Sequence, residues 1–197
     1  MSDRTLARRR FMMGSAAALA GLAATPLRAE LTGDIESEPD IRRADRNIMG
    51  FRSIDWRDHF DTLRNGAILT DTNSRTLHFC SEDESIYLLH PCSIPMTEEF
   101  TRRGRTEITL MRRDPVWVPT PNMRERDPSL PERVEAGPDN PMGTRAMNLT
   151  WQYYRIHGID DERKIGRKAS NGCFGLFNHH VEHLFELVDV GTQVLVI

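Results

Sequence analysis

Seven prolines between positions 115 and 141 limit what this chain can become more than any other feature. Proline lacks an N–H and its ring collides with the preceding turn. A stretch holding Pro115, Pro119, Pro121, Pro128, Pro131, Pro138 and Pro141 is therefore excluded from a central strand or a helix interior. Residues 114–145 read as one long irregular segment, either a rigid packed surface loop or a binding loop in which Trp117 and the loop ending at Gly143 would be cleft walls. On both sides of it the pattern is strand-like. Ala67–Thr70, Thr76–Cys80 and Ser85–Leu89 are separated by the turn-forming runs Asp71–Ser74 and Ser81–Glu84, which predicts an antiparallel meander. Thr106–Met111 alternates in the same way, and Met147–Leu149 and Tyr153–Ile156 follow the proline segment. Asn178 is placed to cap a helix from His179 to about Val188, with Val181, Leu184, Phe185 and Val188 on one face. Gly191 stops it, and Gln193–Ile197 supplies a last strand that closes the sheet. The fold class is mainly β, with one or two short helices.

The N-terminus has a different character. Arg8-Arg9-Arg10-Phe11-Met12 precedes an Ala/Gly-rich apolar run, and small residues follow at Leu22-Ala23-Ala24 and Leu27-Arg28-Ala29. Basic residues, a short apolar run and small residues in that order predict an export signal over 1–29, and the paired arginines resemble a twin-arginine signal. Residues 30–50 are polar and charged and read as a linker. Residues 51–65 carry Phe51, Ile54, Trp56, Phe60 and Leu63, spaced for a short element packed on the domain. With 39% hydrophobic residues in 197, a single domain over 51–197 is expected. The first 29 residues hold five arginines and one aspartate, so removing them makes a chain of net charge −3 more acidic still. That excludes a basic footprint for nucleic acid or anionic lipid. No segment after the signal is long and apolar enough to be a transmembrane helix.

Chemistry concentrates near the C-terminus. His157-Gly158 ends an apolar run, and Ser170-Asn171-Gly172-Cys173 follows a charged, glycine-containing loop. An imidazole can take the thiol proton, and the thiolate is the attacking species. Gly172 lets backbone N–H groups approach a reacting carbonyl, so Asn171, Gly172 and Cys173 are candidate oxyanion donors. Ser170 is placed to bond within the loop and hold the turn. Cys80 and Cys92 lie in apolar runs and read as core residues, with a disulfide between them open in an oxidising compartment. His179, His180 and His183 read as solvated helix positions rather than metal ligands, since no further ligands stand at a convincing spacing. Asp160-Asp161-Glu162 is a solvated acidic loop, with attraction of a substrate amine as its functional alternative.

His-Gly, Ile165-Gly166, Ser-x-Gly-Cys, Asn178 and Gly191-Thr-Gln-Val occur in an order that resembles the L,D-transpeptidase catalytic domain. Gly66-Ala-Ile-Leu-Thr-Asp71, Pro115-Val-Trp117-Val-Pro119, Leu130-Pro131 and Gly137–Gly143 extend the likeness over roughly 66–197. The resemblance implies an L,D-transpeptidase-like β-sandwich of mixed sheets. It also implies Cys173 as nucleophile, His157 as base and then acid, and the Gly158 carbonyl as the group orienting the imidazole. Substrates would be peptidoglycan tetrapeptide stems in the periplasm. Products would be 3→3 crosslinks between stems, or an envelope protein attached to the wall. Neither a metal nor an organic cofactor is implied.

The chain departs from the family at Gly175, where an arginine usually stands two positions after the nucleophile, and at Asn171, where histidine is common. Arg167 and Lys168 are the candidates to supply the missing charge. The loss keeps open a non-catalytic peptidoglycan-binding domain, beside an L,D-carboxypeptidase or other thiol hydrolase. Papain-like enzymes place cysteine before histidine in the chain; here histidine comes first, which argues against that layout.

Overall fold

The structure, a computed structural model, describes residues 52–197; the expected export signal, the linker and Phe51 lie outside the described residues. Strands β1 (Ala67–Asp71), β2 (Thr76–Cys80) and β3 (Tyr87–Pro91) form the expected antiparallel meander. The two-residue β4 (Ile94–Pro95) and the long β5 (Gly104–Arg113) precede the proline-rich segment. That segment contains one short helix, α1 (Pro121–Arg126), which begins on Pro121 where a missing N–H costs nothing and is capped by the Thr120 hydroxyl. Then come β6 (Arg145–Leu149), β7 (Arg155–His157), β8 (Lys168–Ser170), β9 (Phe174–Gly175), α2 (Asn178–Phe185) and β10 (Gln193–Val196).

Eight strands make one sheet in the order β3-β2-β1-β10-β5-β6-β7-β9, while β4 and β8 pair apart. The last strand is thus internal: β10 lies parallel to β1 and antiparallel to β5, and joins the meander to the second half of the sheet. Core-facing residues from both halves meet in a single cluster. Ile68, Leu77 and Phe79 from the meander share it with Ile108, Met147, Ile156 and Phe174, and α2 adds Val181, Leu184 and Phe185. A sheet whose distant strands share one core must curl over it. The opposite face of β1 is also covered: Ala67 and Leu69 pack with Phe60 and Leu63 from the segment before it, as the spacing of residues 51–65 predicts.

The proline-rich segment is held by one buried amide. Asn140 Nδ2 donates to the carbonyls of Pro115 (2.7 Å), Val134 (3.2 Å) and Glu135 (3.0 Å), and its Oδ1 accepts the Met142 N–H at 2.8 Å. A backbone pair between Trp117 and Val134 closes the same loop.

The β2–β3 register closes the disulfide alternative for Cys80 and Cys92, and the expected start and end of the C-terminal helix are corrected. Cys80 stands opposite Tyr87 on the β2–β3 ladder, whereas Cys92 follows Pro91, which stands opposite Thr76. Cys92 is thus five residues of strand from the partner of Cys80, about 16 Å, beyond the span of a disulfide, and both are free thiols. Asn178 does not cap α2. It is the first helical residue, preceded by Phe177 without a side-chain cap, and its amide is used elsewhere. The helix ends at Phe185, so Gly191 turns the chain into β10 rather than stopping the helix.

Candidate active site

The second half of the sheet brings His157 and Cys173 to neighbouring strands. β7 and β9 run parallel, with Ile156 opposite Phe174 and His157 opposite Gly175. Side chains alternate across a strand, so Ile156 and Phe174 enter the core while Arg155 and His157 share the other face. Cys173 immediately precedes β9 and falls beside Arg155 by extension of that register.

His157 is 8% exposed. Its Nδ1 contacts the carbonyl oxygen of Gly158. A carbonyl can only accept, so Nδ1 carries the hydrogen and Nε2 keeps the lone pair. Burial pushes the imidazole down to about 4, outweighing the Gly158 carbonyl, which favours protonation. The ring is therefore a neutral base at neutral pH, in the tautomer that can receive a proton at Nε2.

Gly158 holds that carbonyl in place for a steric reason. A Cβ there would run into Asn178 Oδ1, and one at Gly143 would meet the same oxygen. Asn178 Oδ1 accepts the N–H groups of Thr144 (3.2 Å) and Ile159 (3.3 Å), and Nδ2 donates to the Ile159 carbonyl at 3.0 Å. One amide at the start of α2 thus ties the end of the proline-rich segment to the loop after His157.

The loop carrying Cys173 is seated on residues 92–96. Ile94 N donates to the Arg167 carbonyl and Met96 N to that of Ser170, and Ser93 and Gly175 exchange backbone bonds at 2.8 and 3.2 Å. Within the loop, Ser170 Oγ donates to the Cys173 carbonyl at 2.6 Å and accepts the Gly172 N–H at 3.3 Å. Gly172 adopts φ +128°, a conformation that side-chain-bearing residues rarely take. Asn171 turns outward, and its Oδ1 accepts from Arg126 of α1 at 2.6 Å. The proline-rich segment therefore contacts this region at both Asn171 and Asn178.

Cys173 is half-buried, and its thiol donates to the carbonyl of Tyr153 at 3.3 Å. Tyr153 itself has φ +69°, at the turn between β6 and β7. Burial pushes the thiol up, and the positive charge of Arg155 pulls it part of the way back.

Asp160 pairs with Lys164 at 3.1 Å and Asp161 with Arg163 at 2.9 Å, so much of the acidic loop is internally neutralised. His179 and His183 are exposed, whereas His180 stacks on His90 with ring centroids 4.0 Å apart. Among the described residues no three metal-ligating side chains converge. A recess of about 750 Å³ lined by Thr62, Asn65, Glu82, Glu107 and Gln193 contains none of the site residues. Chemistry rather than concavity locates the site.

The YkuD family model, which describes the L,D-transpeptidase catalytic domain, matches residues 65–196. The chain belongs to that family. A Fuscovulum blasticum protein bearing an L,D-transpeptidase name is 42% identical over 198 residues, covering all of both chains. ErfK/SrfK of Escherichia coli K12, also named as an L,D-transpeptidase, is 37% identical over 142 residues, which are 70% of this chain and 45% of that protein. The chain thus matches less than half the length of that relative. An L,D-transpeptidase structure from Mycobacterium smegmatis superposes with a TM-score of 0.54 at 20% identity, over 68% of this chain and 58% of that one, which supports the fold.

Three residues of the site were not singled out by sequence. Arg155, rather than Arg167 or Lys168, is the cation beside Cys173. Tyr153 supplies a carbonyl, which no side-chain pattern reveals. Ser93 pairs with Gly175 from far upstream in the chain. A signal for Arg155 existed in its position two before His157 on a strand, which puts both on one face.

Proposed function

We propose that this protein is an exported L,D-transpeptidase of the bacterial envelope in which Cys173 is the nucleophile and His157 the proton carrier. The observation that supports it best is the His157 tautomer: Nδ1–H is committed to the Gly158 carbonyl, and the free Nε2 lies one strand from Cys173. In the donor step the thiol proton passes to Nε2 and the sulfur attacks the carbonyl at the L-centre of diaminopimelate in a tetrapeptide stem. The C–S bond forms as the C–N bond to the terminal D-alanine breaks, and the imidazolium returns its proton to the leaving amine. The N–H groups of Cys173, Gly172 and Asn171 are the oxyanion donors. The Gly172 N–H is held only loosely by Ser170 at 3.3 Å and is free to shift toward a developing charge. An acceptor amine then resolves the thioester. A second stem gives a 3→3 crosslink, a protein amine gives an envelope protein tied to the wall, and water gives L,D-carboxypeptidase action. The arginine-rich N-terminus supports export by the twin-arginine route to the periplasm.

The second reading is a non-catalytic peptidoglycan-binding domain. It is favoured by the thiol hydrogen resting on Tyr153 rather than on His157. Mass spectrometry of the protein mixed with purified disaccharide-tetrapeptide, with Cys173→Ala as control, separates the two. A Cys173 acyl adduct with released D-alanine is expected, and a crosslinked dimer names a stem as the acceptor. Folded, reduced protein that forms no adduct sinks the transferase reading in favour of the binding domain.

A further inference from the structure

We propose that Arg155 acts from the neighbouring strand as the counter-charge of the Cys173 thiolate, a place that position 175 cannot fill. The proposal rests on Cys173 being the nucleophile and concerns what makes its thiolate accessible.

Position 175 has no room for a side chain. A Cβ built there lies 2.5 Å from Ser93 Oγ and 3.1 Å from Ile159 Cδ1, and the same Ser93 Oγ accepts the Gly175 N–H at 3.1 Å. Ser93 is 3% exposed and bonded to Gly175 through both its backbone and its side chain, so it has nowhere to retreat. An arginine cannot enter from β9. The register of β7 against β9 places Arg155 beside the residue that precedes β9, which is Cys173. On its other side Arg155 faces Asn148 of β6, and its Nε donates to Asn148 Oδ1 at 3.2 Å. That bond anchors the half-buried Arg155 side chain on the sheet. Three adjacent strands, β6, β7 and β9, thus hold a line of anchor, cation and thiol.

Both titrating groups are drawn down by the same charge, with different consequences for their charged forms. A cation beside sulfur favours the thiolate, and the same cation disfavours the imidazolium of His157 two residues along β7. Arg155 is thus a positioning residue that keeps the histidine a free base and steadies the sulfur once the proton has left. A structural contact alone would not link these two effects.

The first readout of the test needs no peptidoglycan substrate. The rate of Cys173 alkylation by iodoacetamide is followed against pH by mass spectrometry of the Cys173 peptide, in wild type, Arg155→Met and Arg155→Lys. Arg155→Met is expected to alkylate about tenfold more slowly at neutral pH, with the thiol midpoint raised by about one pH unit, one such unit being one decade in ionisation. Arg155→Lys, which keeps the charge without the fork, is expected to fall between the two. In Arg155→Met the His157 imidazole, followed by NMR, is expected to titrate at higher pH than in wild type. An unchanged alkylation profile in Arg155→Met overturns the proposal. Unchanged alkylation with a raised KM for the stem peptide overturns it in favour of a substrate-carboxylate contact. Equal losses in the Met and Lys variants, with lowered thermal midpoints, overturn it in favour of a purely structural role. Should Arg155→Met fail to fold, Asn148→Ala releases the anchor and gives the same reading. Failure of the transferase reading shows separately, as alkylation that depends on Arg155 without any acyl adduct from the tetrapeptide.

Discussion

At the scale of single residues the candidate site pairs two groups that are neutral at rest. Burial lowers His157 to about 4 and raises Cys173 above its ordinary range, so the resting pair is imidazole and thiol rather than an ion pair. The sign of each shift sets the pH behaviour. Lowering His157 preserves the base form down to about pH 4, so acylation by the tetrapeptide is expected to keep its rate through the neutral range and to fall only as pH approaches that value. A pH profile of acyl-enzyme formation checks this, and an acid limb near the ordinary histidine range would contradict it. Gly175→Arg gives the family arginine back to this chain and is expected to harm it. With Ser93 Oγ 2.5 Å from the new Cβ, overpacking costs about 1–3 kcal/mol, read as a lowered urea midpoint, and Ser93→Gly in the same chain should recover part of it.

At the scale of elements, two asparagines decide where the proline-rich segment lies. Asn140 holds its interior and Asn178 holds its end against the loop that follows His157. Removing either leaves buried backbone groups without partners, at about 1–3 kcal/mol for each group stranded. Asn140→Ala is expected to loosen residues 114–144, read as faster cleavage there in limited proteolysis. Asn178→Ala is expected to lower stability by about 2 kcal/mol or more and also to slow acylation, because the Gly158 carbonyl that orients His157 loses its support. A thermal melt and a tetrapeptide acylation rate measured on the same preparation check both halves. The exclusion of strand and helix interior from 114–145 was legible in the prolines alone, since it follows from a missing N–H. The two amides that pin the segment were not, because a buried asparagine looks like any other until its partners surround it. Asn178 shows the difficulty most directly: a residue type that favours helix caps was used instead to join two loops.

At the scale of the whole molecule, buried imidazoles couple stability to acid. His78 and His90 are 3% and 9% exposed, and burial lowers both, His90 to about 4. With His157 they are neutral in the folded state and protonated more easily when unfolded. The folded chain therefore binds fewer protons, and stability is complete above the ordinary histidine range and declines as pH falls from about 6.5 toward 4. A fully buried imidazole shifted this far contributes on the order of 3 kcal/mol. Urea midpoints are expected to drop steadily between pH 6.5 and 4, and a flat profile over that range would show that the histidines titrate alike in both states.

By itself the sequence determined what short-range chemistry controls: the antiparallel meander, the barred interior of the proline segment, and the two side chains able to exchange a thiol proton. Alternation, turn residues and a missing N–H act over a few positions, and a cysteine or histidine declares its chemistry wherever it stands. Only the tertiary structure decided which groups meet. The parallel register of β7 and β9 sets Arg155 beside Cys173, the bridge from Ser93 closes position 175 to any side chain, and the β2–β3 register keeps Cys80 and Cys92 apart. These contacts join segments distant in the chain, and the register between strands is chosen by the core they bury together, which no local pattern encodes.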